Sequence, residues 1–352
     1  MRMLAVLVVA VIATCAFVER WVCESAQPET SQNTALAWPA ALPVYDHVVI
    51  VVEENKDYEE IIGNPSAPYI NNALRAEGAN YTRMFGEEHW SQGNYFWLFS
   101  GSNQTVGFQD EIPSAANHPF YPFTTSNLGA QLIRKGWSFK GYSESLPAIG
   151  STVDSWPKDN PVYARKHVPW ISFKNVPNGD TIATSSNLRF ADFPRDPAQF
   201  AKLPTVAFVI PNLDHDMHNG KPQDSIPRGD RWLKDNLDAY YQWAKKNNSL
   251  LILTFDENND KRKYLGLTNP FVEVKDEYTR DLQNRTVTIF AGAHIKAGDY
   301  AEGKGITHVN ILRTLEAMYG LPRSGAQQPN AAGLGIRDDY LITDVFIAKK
   351  PS

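Results

Sequence analysis

Runs of apolar and polar residues alternate along the chain with two different periods. His47-Val48-Val49-Ile50-Val51-Val52 is a continuous β-branched run, which predicts a strand buried on both faces. Asn71 to Glu77, closed by Gly78, predicts a helix with a glycine stop, and Leu128 to Lys135, behind Asn127 and ahead of Gly136, predicts another. Strands are expected at Trp137–Tyr142, Thr205–Ile210, Leu250–Phe255 and Val287–Ala291, an amphipathic helix at Arg231–Lys245 and a last helix at Val309–Tyr319. Strands alternating with helices predict an α/β fold, a mostly parallel central sheet with helices on both faces. The stretch at about 144–200 is rich in Pro, Asn and Ser with weak periodicity, so it is expected to be a long insertion over one sheet edge, forming a substrate wall.

The N-terminus follows a different rule. Met1-Arg2 precedes the apolar run Met3–Val18, which Glu19 and Arg20 end. This is the layout of an export signal, and the run is shorter than the roughly 20 residues that cross a bilayer. Residues 1–26 are therefore expected to be a signal peptide cut near Ser25-Ala26, residues 27–44 a polar, Pro-rich linker, and residues 45–352 a single domain. The mature protein is expected to be secreted or periplasmic without a stable transmembrane anchor. A lipid-anchored form at Cys15 is a minor alternative, because Ala13-Thr14-Cys15 only faintly matches a lipoprotein box. Cys15 and Cys23 would leave with the signal, so disulfides and thiolate metal sites are excluded from the mature domain. Glycosylation sequons occur at Asn80, Asn103, Asn247 and Asn284. With 34 Lys and Arg against 39 Asp and Glu, a net charge of -5 offers no basic surface for a nucleic acid partner.

Ligands of open α/β sheets bind beyond the carboxyl ends of the strands, and here those ends are polar. The first strand runs into Glu53-Glu54-Asn55, that at 205–210 into Asn212-Leu213-Asp214-His215-Asp216-Met217-His218, and that at 250–255 into Asp256-Glu257-Asn258. His294 follows the next strand and His308 opens the last helix. Oxygen and nitrogen donors without thiolate suit a hard or borderline divalent ion. Each piece alone is more often a solvated turn or cap; their coincidence points to a metal-assisted hydrolytic site. Ser91, in His89-Trp90-Ser91-Gln92-Gly93-Asn94-Tyr95, is expected at a helix N-terminus, where the macrodipole favours phosphate oxygens and a developing alkoxide. Serine is also an ordinary N-cap, and no G-x-S-x-G elbow surrounds it.

VVIVVEENKDYEEIIGNPSAPYIN, HWSQGNYFWLFSGS, GYSESLP, YARKHVPW, PNLDHDMHNG and LTFDEN, in that order, resemble the phosphoesterase family of secreted acid phosphatases and bacterial phospholipases C, within the alkaline phosphatase superfamily. The likeness runs from about Tyr45 to Asp344. It implies an alkaline-phosphatase-like fold, with Glu54 and Asn55 as one metal pair, Asp256 and Glu257 as a second, and Ser91 as nucleophile. His218 and His308 are expected in catalytic roles and His89, Asn94, His167 and Asp216 around the phosphate. Glu53 is expected to point away, because side chains alternate across the pleat. Two prolines usual around the nucleophile are replaced by Trp90 and Gly93, and Lys56 replaces a common histidine.

The implied activity is that of a secreted, metal-dependent phosphomonoesterase working on a small phosphorylated substrate through a phosphoserine. An imidazolium-rich pocket would favour an acidic optimum. Alternatives are a phospholipase C-type phosphodiesterase and, from another class, a non-catalytic extracellular binding domain. The cofactor is expected to be a divalent metal ion of unspecified identity and count, and the oligomeric state is left open.

Overall fold

The computed structural model describes residues 42–107, 109–259, 272 and 283–347. An eight-stranded sheet organises them, in the spatial order Gly298–Tyr300, Ala79–Tyr81, Thr288–Gly292, Ser249–Phe255, His47–Glu53, Val206–Ile210, Phe139–Ser143 and Asn187–Arg189. The His47–Glu53 strand is central and pairs in parallel with both neighbours. The parallel set continues through Phe139–Ser143 to Asn187–Arg189. At the other side Thr288–Gly292 runs antiparallel to Ser249–Phe255 and to Ala79–Tyr81. The expected mostly parallel α/β architecture is present.

Alternation persists even within the wholly apolar central strand. Val48, Ile50 and Val52 join one core with Phe208 and Ile252, whereas Val49 and Val51 join a second core with Ala207, Val209 and Leu253. Each of these valine, isoleucine, leucine and phenylalanine side chains, fully buried, contributes roughly 1.5–3 kcal/mol. The first core is covered by helices Ser91–Ser100 and His308–Met318 and the second by helix Pro222–Ala244, which contributes Leu233, Leu237 and Tyr240.

The sequence expectation differs from the structure where periodicity fails. Helix Pro222–Ala244 starts nine residues before the expected Arg231, because its first turns are polar and hold an internal proline, Pro227. The expected helix at Asn71–Glu77 contains a wide π-helical turn at Ile70–Arg75. Helix Ser91–Ser100 is buried on every side, so it lacks an amphipathic stripe. A small second sheet, Arg285–Thr286 with Met84–Phe85 and Ile306–Thr307, holds the loop that leads to Ser91.

The insertion supplies the edge strand Asn187–Arg189 and a chain of 3-10 turns, including Arg165–His167 and Pro169–Ser172. Trp170 anchors it among Phe99, Phe139 and Phe208. Gly141 makes this possible: a Cβ there would lie 2.0 Å from the Trp170 ring. Of the four sequons, Asn80 and Asn284 are fully buried and hydrogen-bonded, and therefore closed to a glycan in the folded protein.

Candidate active site

Three strand ends and one helix start converge. Glu54 and Asn55 follow the central strand, Asp256 and Glu257 follow Ser249–Phe255, Asp216 sits in the loop after Val206–Ile210, and Ser91 opens helix Ser91–Ser100. Ser91 Oγ donates to Glu54 Oε2 at 2.9 Å and lies 3.4 Å from Glu257 Oε1. The Asn55 amide donates to Glu257 Oε1 at 3.3 Å, and its backbone N–H to Asp256 Oδ1 at 3.1 Å. His89 Nδ1 contacts Glu257 Oε2, which also accepts from the Trp90 N–H at 3.2 Å.

Asn55, Trp90 and Met217 all have positive φ, an arrangement that costs about 1–3 kcal/mol for a residue such as tryptophan. The surroundings enforce it. Carboxylates hold the N–H groups of Asn55 and Trp90, and Lys56 Nζ donates to the carbonyls of Asn55 and Met217. Lys56 thus ties two site loops together from below, which is what stands in place of the histidine.

Glu54, His167 and Asp216 can each offer one donor atom within 4.8 Å of the others, and all three are buried. Among the described residues Asn55 Oδ1, Asp216 Oδ2 and Asp256 Oδ2 are buried acceptors with no hydrogen-bond partner. Burial, and then the charge of Glu54, pushes the Asp216 and Asp256 carboxyls well above the usual range. Burial also raises Glu54, against the pull of the Lys166 ammonium, His218 and the Tyr95 hydroxyl, which donates to Glu54 Oε1 at 2.7 Å. His167 stacks on Tyr95 at 4.8 Å and lies 3.2 Å from Glu54 Oε1. Burial and the neighbouring Lys166 push it well below the ordinary histidine value, so it is neutral and suited to ligation. Concentrated carboxylates, a neutral imidazole and unpaired acceptors fit a divalent cation.

Several expectations need regrouping. His167 and Asp216, expected around the phosphate, lie with Glu54 among the metal-type donors. A neutral His167 also removes one cation from the expected imidazolium pocket. His308 does not face the cluster: Nδ1 meets Glu87 Oε2 at 2.6 Å and Nε2 meets the Phe255 carbonyl at 2.8 Å, so it braces the strand end before Asp256. Asn94 is not available to phosphate either, since its amide exchanges two hydrogen bonds with the Glu88 backbone. His218 is exposed, lies within electrostatic reach of Glu54 and His167, and donates its backbone N–H to Asp216 Oδ1. Glu53 is fully buried on the other face, as alternation requires.

Tyr95, Lys166 and Asp110 join the site without a sequence motif that singles them out. The one signal for Tyr95 is its spacing, because it falls four residues after Ser91 and hence on the same helix face. Nothing around Asp110 signalled its part. The glycine at 93 has a steric cause: a Cβ there would lie 1.8 Å from Glu88 Oε1. Glu88 accepts from Trp97 Nε1 and Asn103 Nδ2, both at 3.0 Å, yet burial raises its carboxyl to about 7.

That carboxyl gives a signed expectation. With a folded value above the unfolded one, Glu88 binds more protons when folded, so its contribution falls as pH rises from about 4.5 to 7. Glu88→Gln should remove that loss, worth up to about 3 kcal/mol, and flatten the pH dependence of urea unfolding across this window. An unchanged slope would show that Glu88 ionises normally.

A mostly parallel sheet carries a serine hydroxyl and a buried acidic cluster at its carboxyl ends, and the relatives give the class: a hydrolase acting on phosphoric esters. The family model described as the Phosphoesterase family matches residues 66–322, and the chain belongs to that family. It is 44% identical over 286 residues to the phosphatidylinositol-3-phosphatase of Mycobacterium tuberculosis, covering 81% of each chain. It is 28% identical over 326 residues to a probable acid phosphatase of Kluyveromyces lactis, covering 85% of this chain and 66% of that one. In fold it is similar to a Vibrio parahaemolyticus protein of the alkaline phosphatase superfamily, with a TM-score of 0.51 at 9% identity, covering 85% of this chain and 71% of the other. No helix among the described residues is long and apolar enough to cross a membrane.

Proposed function

We propose that this phosphoesterase is an exported, metal-dependent phosphomonoesterase in which Ser91 carries the phosphoryl group between substrate and water. Its export signal is residues 1–26, and its catalytic unit is the single domain 45–352. The observation that carries the reading is the Ser91 hydroxyl, 2.9 Å from Glu54 Oε2, in a cluster where Asn55 Oδ1, Asp216 Oδ2 and Asp256 Oδ2 are buried without a hydrogen-bond partner among the described residues. Similarity to a phosphatidylinositol-3-phosphatase favours a phosphorylated inositol headgroup as substrate.

Glu54, His167 and Asp216, with Asn55, Asp256 and Glu257, would hold the divalent ion. Bound there, the ion would supply Lewis-acid neutralisation of the phosphate and of the serine oxygen. The chain's own residues do the rest. Ser91 directs its proton at Glu54 Oε2, and the dipole of its helix favours negative charge at Oγ. As the proton passes to the carboxylate, Oγ attacks phosphorus in line and the ester oxygen departs. His218, exposed beside the site, gives that oxygen a proton. Attack of water on the phosphoserine reverses the sequence and frees phosphate.

The test is turnover of a phosphomonoester, a phosphodiester and phosphatidylinositol 3-phosphate by purified protein, before and after chelation. Monoester turnover that chelation abolishes supports the reading; diester turnover alone replaces it with a phospholipase C-type activity.

Trp90 bears on the leaving group. Trp90 is 54% exposed beside Ser91. A flat aromatic face there should stack on aromatic leaving groups, worth of the order of 1–3 kcal/mol. Trp90→Ala is expected to lower kcat/KM for phenyl phosphate by up to about a hundredfold relative to glycerol phosphate. Equal losses on the two substrates would assign Trp90 a purely structural part.

A further inference from the structure

The cluster around Ser91 is dominated by carboxylates, and a phosphate dianion reaching it needs positive charge from the protein as well. Lys56 is committed below the site, its ammonium on two backbone carbonyls. Lys166 is placed differently. Its Nζ lies 2.6 Å from Asp110 Oδ2, and Asp110 Oδ1 accepts the Gln92 N–H at 3.1 Å. One carboxylate therefore joins this ammonium to the second residue of the helix that Ser91 opens. Lys166 precedes His167, which touches Glu54, and its side chain is 20% exposed, so it reaches both the cluster and solvent. An ammonium has three donors, and among the described residues only Asp110 takes one.

We propose that Lys166 is the cation that receives the substrate phosphate, and that Asp110 holds its ammonium beside the helix N-terminus until phosphate takes the place of Asp110. This rests on Ser91 being the nucleophile, because it places the phosphate at that helix start. Asp110 holds the Lys166 ammonium at 2.6 Å, next to the start of the helix that Ser91 opens. As a fixed positive group aimed where negative charge collects, it stabilises the phosphoryl oxygens in the transition state.

The exchange predicts opposite effects for the two partners. Inhibition by inorganic phosphate and turnover of phenyl phosphate would be measured on the metal-loaded enzyme for wild type, Lys166→Met, Lys166→Arg and Asp110→Asn. Lys166→Met is expected to raise the phosphate inhibition constant about 10- to 100-fold and lower kcat/KM comparably, with Lys166→Arg recovering most of both. Asp110→Asn keeps an acceptor for the Gln92 N–H but releases the ammonium, so phosphate inhibition should tighten severalfold. Equal losses in Lys166→Met and Asp110→Asn, with lowered melting temperatures, would make the pair a structural tie and overturn the proposal. So would unchanged phosphate inhibition in Lys166→Met. The nucleophile reading fails separately: full turnover by Ser91→Ala would sink it, whereas weakened phosphate inhibition in Lys166→Met would still locate the anion.

Discussion

Ser91→Ala is expected to lower kcat by at least about three orders of magnitude while the protein folds normally. The Ser91 hydroxyl is held between Glu54 Oε2 and Glu257 Oε1, at the start of its helix. Nothing in the surrounding donors replaces it. The structural cost is small, because the helix it opens is capped at Trp90 without any side-chain hydrogen bond, and its packing is inherited from a buried helix. The loss of one hydrogen bond to a carboxylate costs about 1.5–3 kcal/mol at most, and removing a donor from a crowd of carboxylates is offset when a cation is present. Steady-state kinetics on phenyl phosphate and a thermal melt check both halves. Turnover within tenfold of wild type would remove Ser91 from the chemistry.

Loss of a cluster ligand should be nearly as severe. Asn55→Ala deletes an acceptor without changing formal charge, and Asp216→Asn tests the regrouping of Asp216 with the metal donors. Both are expected to lower bound metal, measured by elemental analysis, and to reduce activity about a hundredfold or more. An Asp216→Asn variant with full metal content but weaker phosphate inhibition would return Asp216 to the phosphate.

Proton linkage provides an independent sign. Without metal, the raised Asp216 and Asp256 carboxyls bind more protons in the folded state than in the unfolded state. Stability of the metal-free protein should therefore fall as pH rises above the unfolded carboxyl value near 4. A divalent ion displaces those protons, so metal affinity should rise with pH, and the stability loss should disappear in its presence.

Much of this was legible because it is local. The central strand announced itself as six consecutive β-branched or histidine positions, and Glu54, Asn55, Asp256 and Glu257 stand directly at strand ends, where chain direction alone brings them to one rim. Their convergence on Ser91 followed. What stayed hidden depends on contacts across the chain. His308 opens its helix as expected, but Glu87 and the Phe255 carbonyl, both distant in sequence, take its two nitrogens. Asn94 lies in the right motif, but the Glu88 backbone claims its amide. Nothing local in the sequence reveals that burial neutralises His167 beside Glu54. Asp110 sits in a stretch without periodicity, and only the fold brings it to Lys166 and Gln92. The first nine residues of helix Pro222–Ala244 escape the sequence reading because that start is polar and contains a proline, which packing supports where propensity does not.

The central claim is transfer of the phosphoryl group to Ser91. It is tested most directly by acid-quenching the enzyme during turnover of a phosphomonoester and mapping the peptides by mass spectrometry. The account predicts a phosphoryl group on the peptide containing Ser91, formed within one turnover and absent from Ser91→Ala. An unmodified Ser91 peptide throughout rapid turnover, or the phosphoryl group on another side chain, would contradict it.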